Sequence, residues 1–284
     1  MGQIRIITDT ASDITRQRAE ELDVIVVPIS IKFGETEMPM ESEEDFHRFF
    51  RRLAEEKELP TTSQPSPELY LEEYNAAKEK GEDVLVLTLS SGLSGTINAA
   101  RLARDMCGYD RVFIVDTRQA IIPQQMLVEY AVRQRAQGVG AEEIAEKIED
   151  VRDRMVVCGV LDTLTYLRKG GRIPPGFDVL GNVLKIKPVI ELKDGILVKL
   201  GVARGMRKGK DFLFREYEAC EIDEEWPVVT GYTYDRESGE KFRQEVQERY
   251  HLAECPLWPV GGVIGTHVGE NCLALAFVKK VQGK

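Results

Sequence analysis

The sequence predicts an α/β fold in two parts, a doubly wound parallel-sheet domain followed by an α+β domain. Two observations predict it. Short runs made only of apolar residues alternate with helical patterns up to about residue 160, as in sheets that helices cover on both faces. Beyond residue 161, short helices and a hairpin signal replace that alternation. The length of 284 residues suits two domains, which we place at 1–160 and 161–284.

The first part begins with an apolar run at residues 4–8, which predicts a strand that ends in a polar turn. Residues 24–31 predict a second strand, and Pro28 within them favours an edge position. Apolar side chains at helical spacing predict a helix at 43–57. The other predicted elements of this part are a proline-bounded loop at 60–67 with a helix after it, strands at 84–89, 111–115 and 156–160, and helices at 95–107, 119–137 and 141–154.

The second part is predicted from turn signals and shorter apolar runs. Asp194 and Gly195, between two apolar runs, form a strong hairpin signal. The predicted elements are short helices at 163–169 and 177–184, hairpin strands at 188–192 and 196–200, helices at 209–219 and 238–250, and strands at 228–232, 263–266 and 273–278. This mixture of helices and strands predicts the α+β domain.

Composition and charge argue against several classes of function. The net charge of −10 disfavours a general nucleic-acid binder and a protein whose main partner is an anionic membrane surface. No run approaches the ~18 apolar residues of a membrane helix, and the opening residues have no secretory pattern. The five cysteines are scattered, and the three histidines lack metal-ligand spacing. We therefore expect a soluble, cytoplasmic protein with free thiols, no bound metal and no cofactor.

Two hydroxyl-rich loops are candidates for binding chemistry. Segment 89–96 follows an apolar strand and begins a helix. Its hydroxyls and the helix N–H groups could bind an anion, but ordinary helix capping explains the same residues equally well. The second loop carries Thr62 and Ser63 between prolines. Those hydroxyls could hold a ligand that accepts hydrogen bonds, although an ordinary loop has the same composition.

Two further features also allow a functional and a structural interpretation. His267 lies in the glycine-rich stretch 261–269, which leaves room for a ligand, but a lone histidine is more often structural. Asp9, Asp13 and Asp116 lie at predicted strand ends and could form a metal cluster. Turn and capping roles explain these three aspartates as well.

Several catalytic templates fail, and one series of basic residues is notable. Residues 205–211 resemble a phosphate-binding loop, but the loop is one residue short and Asp211 replaces the hydroxyl that binds magnesium. A local positive surface in this acidic protein is indicated by Arg168, Lys169, Arg172, Lys185, Lys187, Arg204, Arg207, Lys208 and Lys210. Such a series is more often only solvated surface.

Taken together, these segments resemble the DegV family of bacterial fatty-acid-binding proteins. The matching segments run in family order over nearly the whole chain: Thr8-Asp9-Thr10-Ala11-Ser12-Asp13, Thr62-Ser63-Gln64-Pro65-Ser66, Leu89 to Thr96, Val115-Asp116-Thr117, Lys169-Gly170-Gly171-Arg172-Ile173, Leu184-Lys185-Ile186-Lys187-Pro188 and Gly265-Thr266-His267-Val268-Gly269. The resemblance implies a DegV-like fold that holds one long-chain fatty acid at the domain junction. It also implies a carrier, not an enzyme, which presents the fatty acid to a separate fatty acid kinase for acyl phosphate formation and phospholipid synthesis.

The resemblance further implies roles for individual residues, carried over by motif. Thr62 and Ser94 would hydrogen-bond the carboxylate, and His267 and Arg204 would complete the polar network. Arg172 would face the kinase. The supporting loop residues would be Ser63, Ser91, Gly95 and Thr96.

An energetic estimate indicates different roles for the tail and the head group of a bound fatty acid. A sixteen-carbon tail buries roughly fourteen methylenes, or ~10 kcal/mol gross at about 0.8 kcal/mol each, before the costs of association are subtracted. An unpaired carboxylate in an apolar site is costly. We therefore expect the tail to supply affinity, while hydroxyls, an imidazole and a guanidinium stabilise the head group.

The sequence departs from the family pattern in two places, and two other functions stay open. Ile121 and Ile122 stand where small residues are usual, and Glu270 stands where glycine is usual. These changes affect which acyl chain is expected, and the ligand class stays the same. The alternatives are a stand-alone phosphotransferase or hydrolase and a regulatory protein that lipid merely stabilises.

Overall fold

The computed structural model describes residues 3–56, 58–177 and 186–281. The strands are β1 (Ile4–Asp9), β2 (Val24–Val27), β3 (Ser30–Phe33), β4 (Thr36–Glu37), β5 (Thr61–Ser63), β6 (Asp83–Thr88), β7 (Val112–Asp116), β8 (Met155–Val160), β9 (Ile186–Lys193), β10 (Ile196–Arg204), β11 (Val229–Tyr232), β12 (Leu257–Pro259) and β13 (Leu273–Val278). The helices are α1 (Arg16–Leu22), α2 (Glu43–Glu55), α3 (Pro67–Lys80), α4 (Thr96–Cys107), α5 (Ile121–Ala136), α6 (Ala141–Arg152), α7 (Thr165–Lys169), α8 (Met206–Glu218), α9 (Arg236–Arg249) and α10 (Gly262–Val268).

The first sheet is parallel and has helices on both faces, as the alternation of apolar runs predicts. Its order is β2-β1-β6-β7, and every neighbouring pair is parallel. Ile7 and Val84 pack with residues of α3 and α4 on one face, while Leu85 and Leu87 pack with residues of α5 and α6 on the other. The carboxyl ends of β1 and β6 therefore lie side by side, which is where open α/β sheets bind ligands.

The second sheet is mixed and has six strands. Its order is β10-β9-β8-β13-β11-β12, with antiparallel pairs except between β11 and β12. The sequence correctly predicts a strand at 156–160, but its assignment to the parallel sheet is wrong, because β8 pairs with β9 and β13. A strand buried on both faces has the same apolar pattern in either sheet, so the pattern does not reveal its neighbours.

Helix α5 joins the two sheets. It contacts β1 and β6 of the parallel sheet as well as β8 and β13 of the mixed sheet. The largest hydrophobic core accordingly contains Leu85 and Leu87 from one sheet and Val157 and Ala274 from the other. We therefore place the change of sheet between β7 and β8, ahead of the boundary expected at residue 160.

Two elements differ in type from the sequence prediction. Residues 263–266 are expected to form a strand but lie in α10. A Cβ added at Gly262 would lie 2.9 Å from the Phe49 ring, and one at Gly265 would lie 2.6 Å from the Phe50 ring. The α10 backbone thus packs directly on α2, and this packing overrides the low helix propensity of glycine.

The second difference is at the proline-bounded loop. Its residues 61–63 form strand β5, which pairs with β3 in a small three-stranded sheet of order β4-β3-β5. The predicted hairpin is confirmed, since Asp194 and Gly195 have φ of 51° and 81° and connect β9 to β10. The short helix expected at 177–184 lies outside the described residues except for its first residue.

Candidate functional site

A cavity lies between the loops of the parallel sheet and the strands of the mixed sheet. Its volume is about 190 Å³. By the same measure a single water molecule needs only about 10–15 Å³. The space therefore suits a ligand much larger than one water. Among the described residues, its polar or charged side chains other than cysteine belong to Thr62, Ser63, Gln64, Ser94, Arg172 and His267, and the rest of the described lining is largely apolar.

The apolar wall comes mainly from the mixed sheet. Four of its strands contribute the lining residues Val157, Ile190, Leu197 and Ala274. Cys158 and Cys272 also line the cavity, and both thiols are almost fully buried. Burial raises the pKa of the Cys272 thiol to about 12 and also raises the pKa of Cys158, so both stay un-ionised. The two cysteines therefore act as small apolar groups in this wall.

The loop after β6 is fixed to the hairpin of the mixed sheet by Ser90. Its buried hydroxyl donates to the carbonyl oxygen of Gly195 at 2.6 Å and accepts from the backbone N–H of Gly92 at 3.2 Å. A Cβ at Gly92 would lie 2.3 Å from the same carbonyl oxygen, so the close approach requires glycine. Ser90 thus has a structural role, and the loop continues to Leu93, Ser94 and Gly95, which line the cavity.

The two hydroxyl-rich segments meet at Gly95. A Cβ at this position would lie 2.1 Å from the Oε1 atom of Gln64, so the loop of Thr62 packs against the loop of Ser94. The Ser94 hydroxyl shares a hydrogen bond of 2.9 Å with the Thr96 hydroxyl, which is fully buried. Ser94 keeps capacity for a further hydrogen bond, because a hydroxyl both donates and accepts.

Not all of the predicted loop residues lie at the cavity. Ser63 and Gly95 line it, as Thr62 and Ser94 do. Thr96 lies behind Ser94, and Ser91 is exposed with its hydroxyl on the carboxylate of Asp116. Neither Ser91 nor Thr96 is part of the lining, so their contribution is to the shape of the loop.

His267 is neutral at physiological pH and faces the cavity from the last turn of α10. Burial, together with the positive charge of Arg172, lowers its pKa to about 4. Its Nδ1 atom is buried and has no hydrogen-bond partner. A Cβ at Gly170 would lie 2.3 Å from that atom, so the ring packs closely on the chain after α7. A neutral imidazole in this position can donate one N–H to an anion.

Arg172 brings a guanidinium to the cavity, whereas Arg204 does not. Arg172 is exposed, donates to the carbonyl oxygen of Gly170 at 2.7 Å and lies 3.4 Å from the carbonyl oxygen of Leu93. Arg204 ends β10, is exposed and lies outside the cavity lining. The expectation that Arg204 completes the polar network is therefore not supported by its position, and Arg172, expected only to face a partner, lines the cavity.

Several residues that line the cavity have no role in the sequence prediction. Gln64 lies in a recognised motif without an assigned role, and the wall of the mixed sheet has no signal at all, since cavity walls and filled cores share one apolar pattern. Glu270, which departs from the family pattern, is half-buried and outside the lining. Burial and the nearby Asp162 raise the pKa of Glu270.

The three aspartates at strand ends do not form a metal cluster. Asp116 accepts from the backbone N–H groups of Ser91 and Arg118 at 3.1 and 3.0 Å, which is a turn role. Throughout the described ranges, no group of three or more His, Cys, Asp and Glu side chains could hold a metal ion. Within the same part of the chain, no helix combines the length and the apolar character needed to cross a membrane.

Comparison with known proteins identifies the family. The family described as "Uncharacterised protein, DegV family" matches residues 3–280. The chain belongs to the DegV family. A DegV domain-containing protein of Halalkalibacterium halodurans is 33% identical over 282 residues, which are 98% of this chain and 99% of that protein.

Solved structures of DegV proteins share the whole fold. A structure named for the fatty acid binding of a DegV family protein from Thermus thermophilus has a TM-score of 0.86 and 30% identity, covering 98% of this chain and 100% of the other. A stearic acid-binding protein from Eubacterium ventriosum has a TM-score of 0.84 and 26% identity, covering 98% of this chain and 99% of that one. The combination of a parallel four-stranded sheet and a separate mixed sheet is thus the DegV fold.

Proposed function

We propose that this DegV protein binds one long-chain fatty acid, with its tail against the mixed sheet and its carboxylate at Thr62, Ser94 and His267. The observation that carries the proposal is a largely apolar cavity whose lining includes Thr62, Ser94 and His267. Gln64 packs on Gly95, and Arg172 acts on the pKa of His267. A fatty acid matches such a cavity, because it has one anionic group and a long apolar tail.

The head-group end supplies the donors that a carboxylate needs. Two hydroxyls and a neutral imidazole can donate to it, and the guanidinium of Arg172 adds a positive charge at the edge of the cavity. Hydrogen bonds to an ionised group are roughly twice as strong as those between neutral groups. This arrangement offsets the cost of taking the carboxylate out of water. The fatty-acid-binding structures with which this chain shares its fold support the same ligand class.

We further propose that the bound carboxylate is presented to a separate kinase, which phosphorylates it to an acyl phosphate. Arg172 supports this step, since it both lines the cavity and is exposed. Arg168 and Lys169 lie beside it in sequence and are also exposed. A positive surface around the head group suits a partner that carries ATP.

The experiment that tests fatty-acid binding is native mass spectrometry of the purified protein. We expect a co-purified species with the mass of one long-chain fatty acid, which organic extraction removes and added fatty acid restores. Protein that purifies without lipid and takes up no fatty acid at micromolar concentrations would contradict the proposal.

The kinase step is tested by acyl phosphate formation from ATP with a fatty acid kinase. We expect product only when the kinase is present, and a several-fold loss with Arg172→Ala. Arg51→Ala is the matched control, because Arg51 is exposed on α2 and outside the cavity lining. ATP turnover by this protein alone would favour the phosphotransferase alternative.

A further inference from the structure

The segment Thr8-Asp9-Thr10-Ala11-Ser12-Asp13 has no role in the proposed binding of the head group, yet it holds two buried carboxyl groups. Asp9 is completely buried at the end of β1. One oxygen of Asp9 accepts from the backbone N–H of Leu89 at 2.8 Å, and the other accepts from Ala11 N–H and from the Gln124 amide, each at 3.1 Å. All three partners are N–H donors, so both oxygens of Asp9 act as acceptors, which fits the ionised form.

The carboxyl group of Asp13 lacks the set of N–H donors that surrounds Asp9. Asp13 is nine-tenths buried, and neither of its carboxyl oxygens makes a hydrogen bond of good geometry, although the backbone N–H of Gly261 lies near them. Burial raises the pKa of Asp13 well above its usual value, the backbone N–H of Gly261 opposes that shift in part, and the charge of Asp9 adds to it. Burial therefore favours the protonated form of Asp13, whereas the N–H donors around Asp9 favour its ionised form. A Cβ at Gly261 would lie 2.6 Å from the Oδ1 atom of Asp13, so these two residues are packed tightly together.

The two aspartates contact the two elements that carry the proposed head-group donors. Leu89, which Asp9 holds, lines the cavity and begins the loop that carries Ser94. Gly261, which packs on Asp13, is the N-cap of α10, the helix that carries His267. The loop and the helix come from distant parts of the chain, and the 8–13 segment contacts both.

We propose that Asp9 and Asp13 are positioning residues, which hold the Ser94 loop and the His267 helix in the relative placement that a carboxylate ligand needs. This inference rests on the proposed fatty-acid binding for its functional meaning, but the coupling of loop and helix is a property of the chain itself. The two acids are not interchangeable: Asp9 acts by accepting hydrogen bonds from three N–H donors, and Asp13 acts by its close packing on Gly261.

The proposal also predicts a dependence on pH. Burial raises the pKa of Asp9 to about 6, and the groups that face it are Leu89 N–H, Ala11 N–H, Gln124, Asp13 and the buried hydroxyl of Tyr70. Because burial raises this pKa, Asp9 binds its proton more tightly in the packed arrangement than it would in an opened, solvated one. The Ser94 loop should therefore become better protected from hydrogen exchange as the pH falls through about 6.

The test compares Asp9→Asn, Asp13→Ala and Asp13→Asn with Asp23→Asn. Asp23 is a matched control, since it has a left-handed backbone like that of Asp13 (φ 51° against 57°) but is exposed. Folding is first checked by thermal unfolding. Affinity for palmitate is then measured at about pH 7.5 and below about pH 6, either side of the pKa of Asp9, together with hydrogen exchange of segment 89–95 and of α10.

We expect Asp9→Asn to weaken palmitate binding about tenfold, the effect of one lost hydrogen bond to a charged group, and to remove the pH-dependent step near pH 6. Asp13→Ala should also weaken palmitate binding. Asp13→Asn should keep the affinity for palmitate within about twofold of the wild-type value, because the amide has nearly the shape of the carboxyl group. Both Asp9→Asn and Asp13→Ala should speed exchange in the loop and in the helix together, whereas Asp23→Asn should change neither.

Two results would overturn the inference. One is wild-type affinity in a folded Asp9→Asn protein, and the other is faster exchange confined to the element nearest each substitution. If Asp9→Asn does not fold, exchange of the wild-type protein across about pH 6 still decides whether the protection of loop and helix changes together. If the wild-type protein binds no fatty acid, the proposed function fails, and the exchange result then decides the coupling on its own.

Discussion

The two sides of the cavity are built in opposite ways. The mixed sheet contributes strands whose backbone groups are already paired and whose side chains are apolar. The opposite side consists of short segments that carry the polar side chains: Ser94 on the loop after β6, Thr62 on the short strand β5, and His267 in the last turn of α10. The long paired strands of the mixed sheet provide a wide apolar surface, and the short segments place single polar groups. We therefore expect affinity to come mainly from the first side and orientation of the ligand from the second.

The largest effect should come from shortening the tail. Replacing a sixteen-carbon fatty acid by a twelve-carbon one removes four methylenes, which should weaken binding by ~3 kcal/mol at about 0.8 kcal/mol each. The measurement is isothermal titration with a series of saturated acids. Affinity that does not change with tail length would contradict the assignment of the mixed sheet as the wall that binds the tail.

The next effect concerns the head group. Ser94→Ala and Thr62→Ala should each weaken fatty-acid binding by ~1–3 kcal/mol, because each leaves the buried carboxylate with one donor fewer. Ser91→Ala is the control: Ser91 lies in the same loop, but its hydroxyl is bound to Asp116 and it does not line the cavity. Equal losses for Ser91 and Ser94 would show that the loop acts only through its fold.

The difference between the two sides also explains what the sequence can predict. The polar residues lie in short motifs, so the resemblance of those motifs to the DegV family is enough to choose Thr62, Ser94 and His267 as cavity residues, whereas the residues by themselves leave a structural role open. It is not enough for the wall of the mixed sheet, since a residue such as Ile190 has the same apolar pattern whether it faces a cavity or a filled core. The pairing partners of β8 are equally hidden, because they depend on contacts distant in sequence.

The position of a long side chain is a second feature that the sequence does not predict. Arg172 and Arg204 both belong to the basic series, and sequence alone does not show which guanidinium reaches the cavity. The glycines of α10 mislead the prediction for a related reason. Gly262 and Gly265 disfavour a helix locally, but the close packing on Phe49 and Phe50 decides the conformation.

A smaller effect is expected where the two sides meet, at Ile121. This β-branched residue lines the cavity with a φ of 49°, a left-handed conformation that costs roughly 1–2 kcal/mol. Ile121→Gly should release that strain, so the free energy of unfolding should change by less than about 1 kcal/mol despite the added chain entropy. The space gained should favour longer or branched tails by about fivefold, as measured by competition against palmitate.

Ile122→Gly is the control for that substitution. Ile122 is almost fully buried, and its φ is not positive, so the same change should cost about 3 kcal/mol or more of stability. A large loss of stability in both variants would show that Ile121 is not strained. An unchanged order of tail preference with Ile121→Gly would show that this residue does not shape the cavity.

The smallest effects separate the two arginines. Arg204→Ala should change fatty-acid affinity by less than about 0.5 kcal/mol, as is usual for an exposed side chain, because Arg204 lies outside the cavity lining. Arg172→Ala should weaken binding by about 1 kcal/mol, since an exposed guanidinium is partly screened by water. The loss with Arg172→Ala should shrink at high salt, whereas the loss with Ser94→Ala should not, because screening acts on exposed charges and hardly on buried hydrogen bonds. A large effect of Arg204→Ala would instead place its guanidinium on the ligand and so require the end of β10 to move toward the cavity on binding.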